Sequence, residues 1–174
     1  MSFLEIPAAS TYAWYIRPVL WLLSRKTGRM SKALQLWGRI PSTFLGFLWM
    51  WRTLEQKSSP LNRQLQALIR TRISQLDGCS FCINLNGSHA LESGVSQDKL
   101  LALPEFAVSP FYDDAERVAL QFAESITITG RKVDDELMTS LKQHYSDHAI
   151  ISLAAVVAHQ NMSAKFNTAL GVAP

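Results

Sequence analysis

The chain has 174 residues, 48% hydrophobic and 18% charged, with a formal net charge of +3, which excludes intrinsic disorder and suits one domain with a proper core. Two cysteines are too few for a secreted disulfide scaffold, and the first basic residue, Arg17, leaves no charged leader region, so a reducing cytoplasm is the expected compartment. Residues 1–72 carry eleven Lys or Arg against two acids and residues 73–174 six against twelve; without a run of five like charges, packing of a basic half on an acidic half is favoured over a nucleic-acid or membrane surface.

Residues 1–57 read as an N-terminal helical extension. Tyr12 to Ser24 is a short apolar run broken by Arg17-Pro18, and Gly28 separates it from a second segment, Met30 to Arg39. Neither is long enough to span a bilayer. Ile40-Pro41-Ser42 opens a third helix with Pro41 and Ser42 in capping positions, and Phe44, Phe47, Leu48 and Trp51 form its i, i+3, i+4, i+7 stripe. All five tryptophans precede residue 52. Such a stripe suits a core or a subunit interface; the sharper alternatives are an apolar pocket for a bulky substrate and a membrane-docking face.

Ser58-Ser59-Pro60 turns the chain into a central helix, Leu61 to Leu76, buried along Leu65, Leu68, Ile69 and Ile73. Arg70 and Arg72 lie on it, and a guanidinium near a cysteine lowers the thiol pKa. Asp77-Gly78 breaks this helix. The next starts at Cys79 and runs to Glu92 or Ser93, closed by Gly94. Helical spacing sets Cys79, Cys82, Asn86 and His89 on one face. Free amide N–H groups and the positive dipole end at this terminus favour thiolate, the reactive form. Cys-x-x-Cys also occurs in structural zinc knuckles and as two inert buried cysteines. Zinc needs further ligands, and His144 and His148 come more than sixty residues later, outside finger spacing. Inert cysteines need not share a helix start, so a redox dithiol is the preferred reading.

Ser96 caps a short helix to Leu103, stopped by Pro104. Asp113 and Glu116 have capping-box spacing ahead of a helix whose inner face is Ala115, Val118, Ala119, Phe122 and Ile126, ended near Gly130. Glu124 is the carboxylate in its apolar middle. Asp134-Asp135-Glu136 complements the dipole of the following helix rather than forming a metal site. The last helix, Ser146 to Leu170, is apolar on nearly all sides and is expected between neighbours, with His159 and Asn161 as polar exceptions. No glycine-rich phosphate loop or nucleophilic-serine motif is present.

Gln75-Leu76-Asp77-Gly78-Cys79-Ser80-Phe81-Cys82, preceded by Leu68-Ile69-Arg70-Thr71-Arg72-Ile73-Ser74, resembles the core of the carboxymuconolactone decarboxylase and alkylhydroperoxidase D-like proteins. The similarity continues in Ser109-Pro110-Phe111, Glu116 to Leu120, His144-Tyr145-Ser146-Asp147, Asn161 and Phe166 to Gly171, covering roughly two thirds of the chain. The resemblance implies an all-α fold: an alkylhydroperoxidase D-like helical bundle over residues 58–174, with residues 1–57 as an extension of the same single domain. It also implies a homo-oligomer, trimer or hexamer, and, in the peroxidase-like members, dithiol chemistry on hydroperoxides. By that resemblance Cys82 attacks the peroxide and passes through sulfenic acid, and Cys79 resolves it to a disulfide. An external dithiol then reduces the pair, with no bound cofactor. Arg72, seven residues before Cys79, fits the family's pattern and ranks ahead of Arg70 as the substrate-binding group.

Two positions depart from the family. The peroxidase-like members carry a histidine four residues after the second cysteine, where this chain has Asn86, and a glutamate twelve residues before the first, where it has Ala67. His89 lies about 10 Å along the helix axis from Cys82, whereas proton transfer needs heavy atoms about 3 Å apart. A relay through Asn86 or water, or a group from another helix such as Glu124 or His159, would have to connect them. The expectation is a thiol-dependent antioxidant or redox enzyme acting on an alkyl hydroperoxide through a sulfur pair open to a cleft. One alternative is a lyase like the decarboxylating branch, using Arg72 with His89 or His159. The other is a non-catalytic scaffold or ligand-binding oligomer that kept the fold after losing the relay.

Overall fold

Capped helices make up the described architecture, and no strand occurs among the described residues. The computed structural model describes residues 3–5, 8, 11–26 and 30–172; Gly28, expected to separate the first two helices, lies outside them. The helices among the described residues are α1 (Arg17–Lys26), α2 (Lys32–Trp37), α3 (Pro41–Leu54), α4 (Arg63–Leu76), α5 (Ser80–Glu92), α6 (Gln97–Leu101), α7 (Asp114–Thr127), α8 (Asp135–His144) and α9 (Asp147–Ala169). The all-α expectation holds. None of these helices is long and apolar enough to cross a membrane.

Local chemistry explains most boundaries. Ser31, Asn62, Ser96, Asp113, Asp134 and Ser146 each accept the backbone N–H three residues on, satisfying donors that a helix start leaves unpaired. The Asp113–Glu116 capping box closes in both directions. Four expectations shift. Asn62 caps α4, so the helix begins after Leu61. Pro41 is the first residue of α3, behind Ile40, which makes no side-chain cap. Pro104 sits inside a 3₁₀ turn, Leu103–Glu105, rather than stopping a helix; Ile126, expected inside, is exposed in the last turn of α7.

Helix α4 is the axis of the bundle and packs most extensively against α5, α9 and α7. From Leu65 to Thr71 every side chain is buried, so that stretch of the helix has no solvated face. Its apolar side joins a core with Leu120, Leu153 and Val157, and its polar side, with Arg70 and Ser74, turns toward α5 and α9. A second cluster forms where the N-terminal helices meet α9: Trp37 stacks on Phe47 and Phe166 at ring-centroid distances of 4.8 and 4.0 Å. Between the second cluster and the polar side chains of α4, α5 and α9 lies the cavity described below. Trp14, Trp21 and Trp49 are exposed.

Ion pairing mostly stays within each half of the chain. Arg70 meets Glu55, while Lys99–Glu116, Arg131–Glu124 and Lys165–Asp77 join residues of the acidic half. Arg72–Glu124 crosses the divide.

Candidate active site

The turn between α4 and α5 is built by its glycine. Gly78 has φ +64°, and its N–H donates to Gln75 O while Cys79 N–H donates to Ser74 O, at 3.2 and 3.0 Å. This pair of bonds is a Schellman motif, which needs a left-handed residue at that point. The chain therefore leaves α4 and immediately starts α5, with Cys79 as the N-cap: its Sγ accepts the Cys82 N–H at 3.3 Å. Cys79 and Cys82 are joined by a disulfide, with Cα atoms 5.2 Å apart, within the roughly 7 Å limit for bridging. The second sulfur has its own donor, Asn167 Nδ2 of α9 at 3.3 Å from Cys82 Sγ.

The sulfurs are not open to bulk solvent, contrary to expectation: Cys79 and Cys82 are 1% and 2% exposed. They are not sealed either. Cys82 lines a cavity of about 230 Å³ between α3, α4, α5 and α9, and Cys79 lies behind it. Phe44, Phe47, Leu48 and Trp51, the stripe of α3, form one wall of the cavity together with Trp37. Of the readings open for that stripe, the pocket describes its placement here. Polar groups gather on the facing side: Arg70, Asn86, His89, His159, Gln160 and Asn167.

Two of these form a buried pair whose protonation follows from geometry. Arg70 Nη1 lies 3.1 Å from His159 Nδ1, and because a guanidinium only donates, Nδ1 must accept. His159 Nε2 then carries the proton and donates to Phe47 O at 3.2 Å, with the imidazole stacked on the Phe47 ring at 4.1 Å. Burial, reinforced by the charge of Arg70, lowers the His159 pKa to about 4. The ring is neutral at pH 7. Burial also lowers the Arg70 pKa, to about 10, against the opposing charge of Glu55, so the guanidinium remains charged.

The Carboxymuconolactone decarboxylase family model matches residues 42–125, a span that includes α3, α4 and the cysteine turn. The uncharacterized protein YnjA of Escherichia coli (strain K12) is 36% identical over 167 residues, 96% of this chain and 92% of that protein. This chain belongs to the carboxymuconolactone decarboxylase family. YdfG of Bacillus subtilis (strain 168), also uncharacterized, is 32% identical over 116 residues, 66% of this chain and 79% of that protein. Among solved structures, apo debrominase Bmp8 superposes with a TM-score of 0.80 at 25% identity, covering 92% of this chain and 86% of that one. An alkylhydroperoxidase AhpD core, a peroxidase-related protein from Ralstonia eutropha JMP134, superposes with a TM-score of 0.86 at 18% identity, covering 99% and 92%; at that identity the likeness is one of fold.

Within this family frame, the residues singled out from the sequence separate into two groups. Cys82, Asn86 and His89 line the cavity together, one face of α5. Arg72 does not. Two residues along a helix is about 200° around it, so Arg72 points away from Arg70 and binds Glu124 Oε1 through Nε and Nη2 at 2.7 and 2.5 Å. Arg70 is the arginine in the cavity wall. Glu124 is neither a relay acid nor a solvated flank: it is buried between Arg72 and Arg131. Asn86 donates through its amide nitrogen to Ser74 Oγ at 3.1 Å, and no direct hydrogen bond joins it to His89 among the described residues. His89 is half-buried at the far end of the cavity, its ring 6.4 Å from that of Trp51. Gln160 and Asn167 were not anticipated as site residues. The signal was there: Gln160, Ser163 and Asn167 fall at i, i+3 and i+7 on an otherwise apolar helix, and all three line the cavity.

Proposed function

We propose that this protein is a thiol-dependent redox enzyme that reduces a small organic hydroperoxide with the Cys79/Cys82 pair. The observation that carries the reading is the placement of one sulfur of a bridged Cys-x-x-Cys, Cys82, on the wall of an aromatic cavity, with its partner behind it. In the reduced protein the Cys82 thiolate is stabilised by the start of α5 and by Asn167. It attacks the terminal oxygen of ROOH: an S–O bond forms, the O–O bond breaks, and the departing alkoxide takes up the proton that Cys82 released. Cys79 then attacks the sulfenic sulfur, and hydroxide leaves with the Cys79 proton as water. An external dithiol returns two electrons and two protons to the disulfide. No bound cofactor is required. The cycle suits a reducing cytoplasm and the homo-oligomer that the family resemblance implies.

A second reading has its own support in the ring-sized aromatic cavity and the 25% identity to a debrominase. The same dithiol would replace a C–Br bond by C–H, releasing bromide and a proton and ending as the same disulfide. Steady-state assays separate the two. With dithiothreitol as reductant, wild type is expected to consume cumene hydroperoxide and Cys82→Ser to lose essentially all turnover. Equal and negligible rates for wild type and Cys82→Ser remove the peroxidase reading, and bromide release from a bromopyrrole under the same conditions would put debromination in its place.

A further inference from the structure

A hydrogen-bond hub behind the cavity wall sets which atoms a bound molecule meets. Ser74 Oγ donates to Arg70 O at 2.7 Å and has thereby committed its only proton. Asn86 Nδ2 and Gln160 Nε2 both approach that oxygen, at 3.1 and 3.0 Å. Since Ser74 has only lone pairs left for them, neither amide can present its carbonyl to it. The orientation of both is therefore fixed by chemistry. Asn86 Oδ1 and Gln160 Oε1 are turned away from Ser74, and neither oxygen has a hydrogen-bond partner among the described residues. The two side chains are 6% and 4% exposed, and both line the cavity. Neither oxygen is sealed from the cavity, so a ligand there can supply the donor that each lacks.

We infer that the cavity recognises a neutral, ring-sized apolar molecule carrying one O–H or N–H group, whose proton is received by Asn86 Oδ1 and Gln160 Oε1. Asn86 is one helical turn beyond Cys82, so this places the donor end of the molecule beside the sulfur. Size agrees: a cavity of about 150 Å³ holds benzene, and this one, at about 230 Å³, has room for a substituted ring. Charge agrees as well. An anion would face two carbonyl oxygens, and the Arg70 guanidinium, with Glu55 3.4 Å from its Nε, keeps its unbonded Nε and Nη2 covered from the cavity. Ser74 is the positioning residue, acting through the two amides. The inference rests on the redox reading for the purpose of the bound molecule, not for whether it binds.

Isothermal titration of the full-length disulfide form with phenol, anisole and benzoate tests it without turnover. Phenol is expected to bind at least about tenfold more tightly than anisole, its donor-free methyl ether, because a site built around a donor rejects the analogue lacking it. Ser74→Ala frees both amides to rotate and is expected to cut that ratio below about threefold; should it fail to fold, Gln160→Met gives the same reading by removing one acceptor. Equal affinities for phenol and anisole, no phenol binding at millimolar concentration, a ratio untouched by the variants, or benzoate binding more tightly than phenol each overturns the proposal, the last by assigning recognition to Arg70. Hydroperoxide turnover is measured on the same preparations: turnover without discrimination sinks the recognition alone, and discrimination without turnover sinks the redox reading alone.

Discussion

Asn167 Nδ2, 3.3 Å from Cys82 Sγ, is a side-chain donor positioned to stabilise negative charge on that sulfur. A hydrogen bond to a charged acceptor contributes about 1.5–3 kcal/mol, so Asn167→Ala is expected to raise the Cys82 thiol pKa by about one to two units. Thiolate absorbance of the reduced protein against pH measures this, and an unchanged pKa would leave the start of α5 as the sole stabilising element. At this scale the sequence was readable where function follows helical spacing: Cys82, Asn86 and His89 share the cavity because they share a face of α5. It was misleading for the arginines. Arg72 and Arg70 differ by two positions, and only knowledge of which side of α4 meets α5 and α9 separates a cavity residue from one bound to Glu124. Asn167 reaches Cys82 Sγ, and Gln160 reaches Ser74, from α9 across the fold; their shared face of α9 shows in the spacing, but which helices it meets does not.

Two glycines, Gly78 in a turn and Gly46 inside a helix, have opposite requirements. Gly78 has φ +64° with open space where a Cβ would go, so Gly78→Ala meets no clash and the cost is the backbone conformation alone, about 1–2 kcal/mol. Gly46, inside α3, also has open space but ordinary helical backbone, and Gly46→Ala is expected to stabilise by about 0.5–1 kcal/mol. Urea unfolding of both variants checks the pair; equal signs would contradict the assigned turn. Caps and glycines made most elements legible in advance, because Ser, Asn or Asp ahead of an apolar run and Gly behind it report local bonds that need no tertiary partner. The stripe of α3 was legible as a stripe and not as a cavity wall. Periodicity says that one face is covered; whether it meets another helix or a void depends on how closely α9 and α5 approach.

For the molecule as a whole, the buried Arg70–His159 pair couples stability to pH. The folded pKa of His159 is about 4, against an ordinary value of 6.5. Between these values the unfolded chain binds a proton that the folded chain refuses. Stability is therefore fully present above about pH 6.5 and falls as the pH drops toward 4, at up to about 1.4 kcal/mol per unit. From pH 7 to pH 5, wild type is expected to lose about 2 kcal/mol more than His159→Asn in urea unfolding; parallel pH dependences would show that the ring is not held neutral.

As a peroxidase, the molecule must pass its Cys79–Cys82 pair between dithiol and disulfide when a peroxide enters the cavity. The most direct measurement is a single turnover: reduce the protein, remove the reductant, add one equivalent of cumene hydroperoxide, and count free thiols and cumyl alcohol together. The prediction is two thiols lost and one alcohol formed per chain in wild type, with an intramolecular bridge by intact mass, and no alcohol from Cys82→Ser. Thiols that survive the peroxide, or alcohol formed equally by Cys82→Ser, would contradict it.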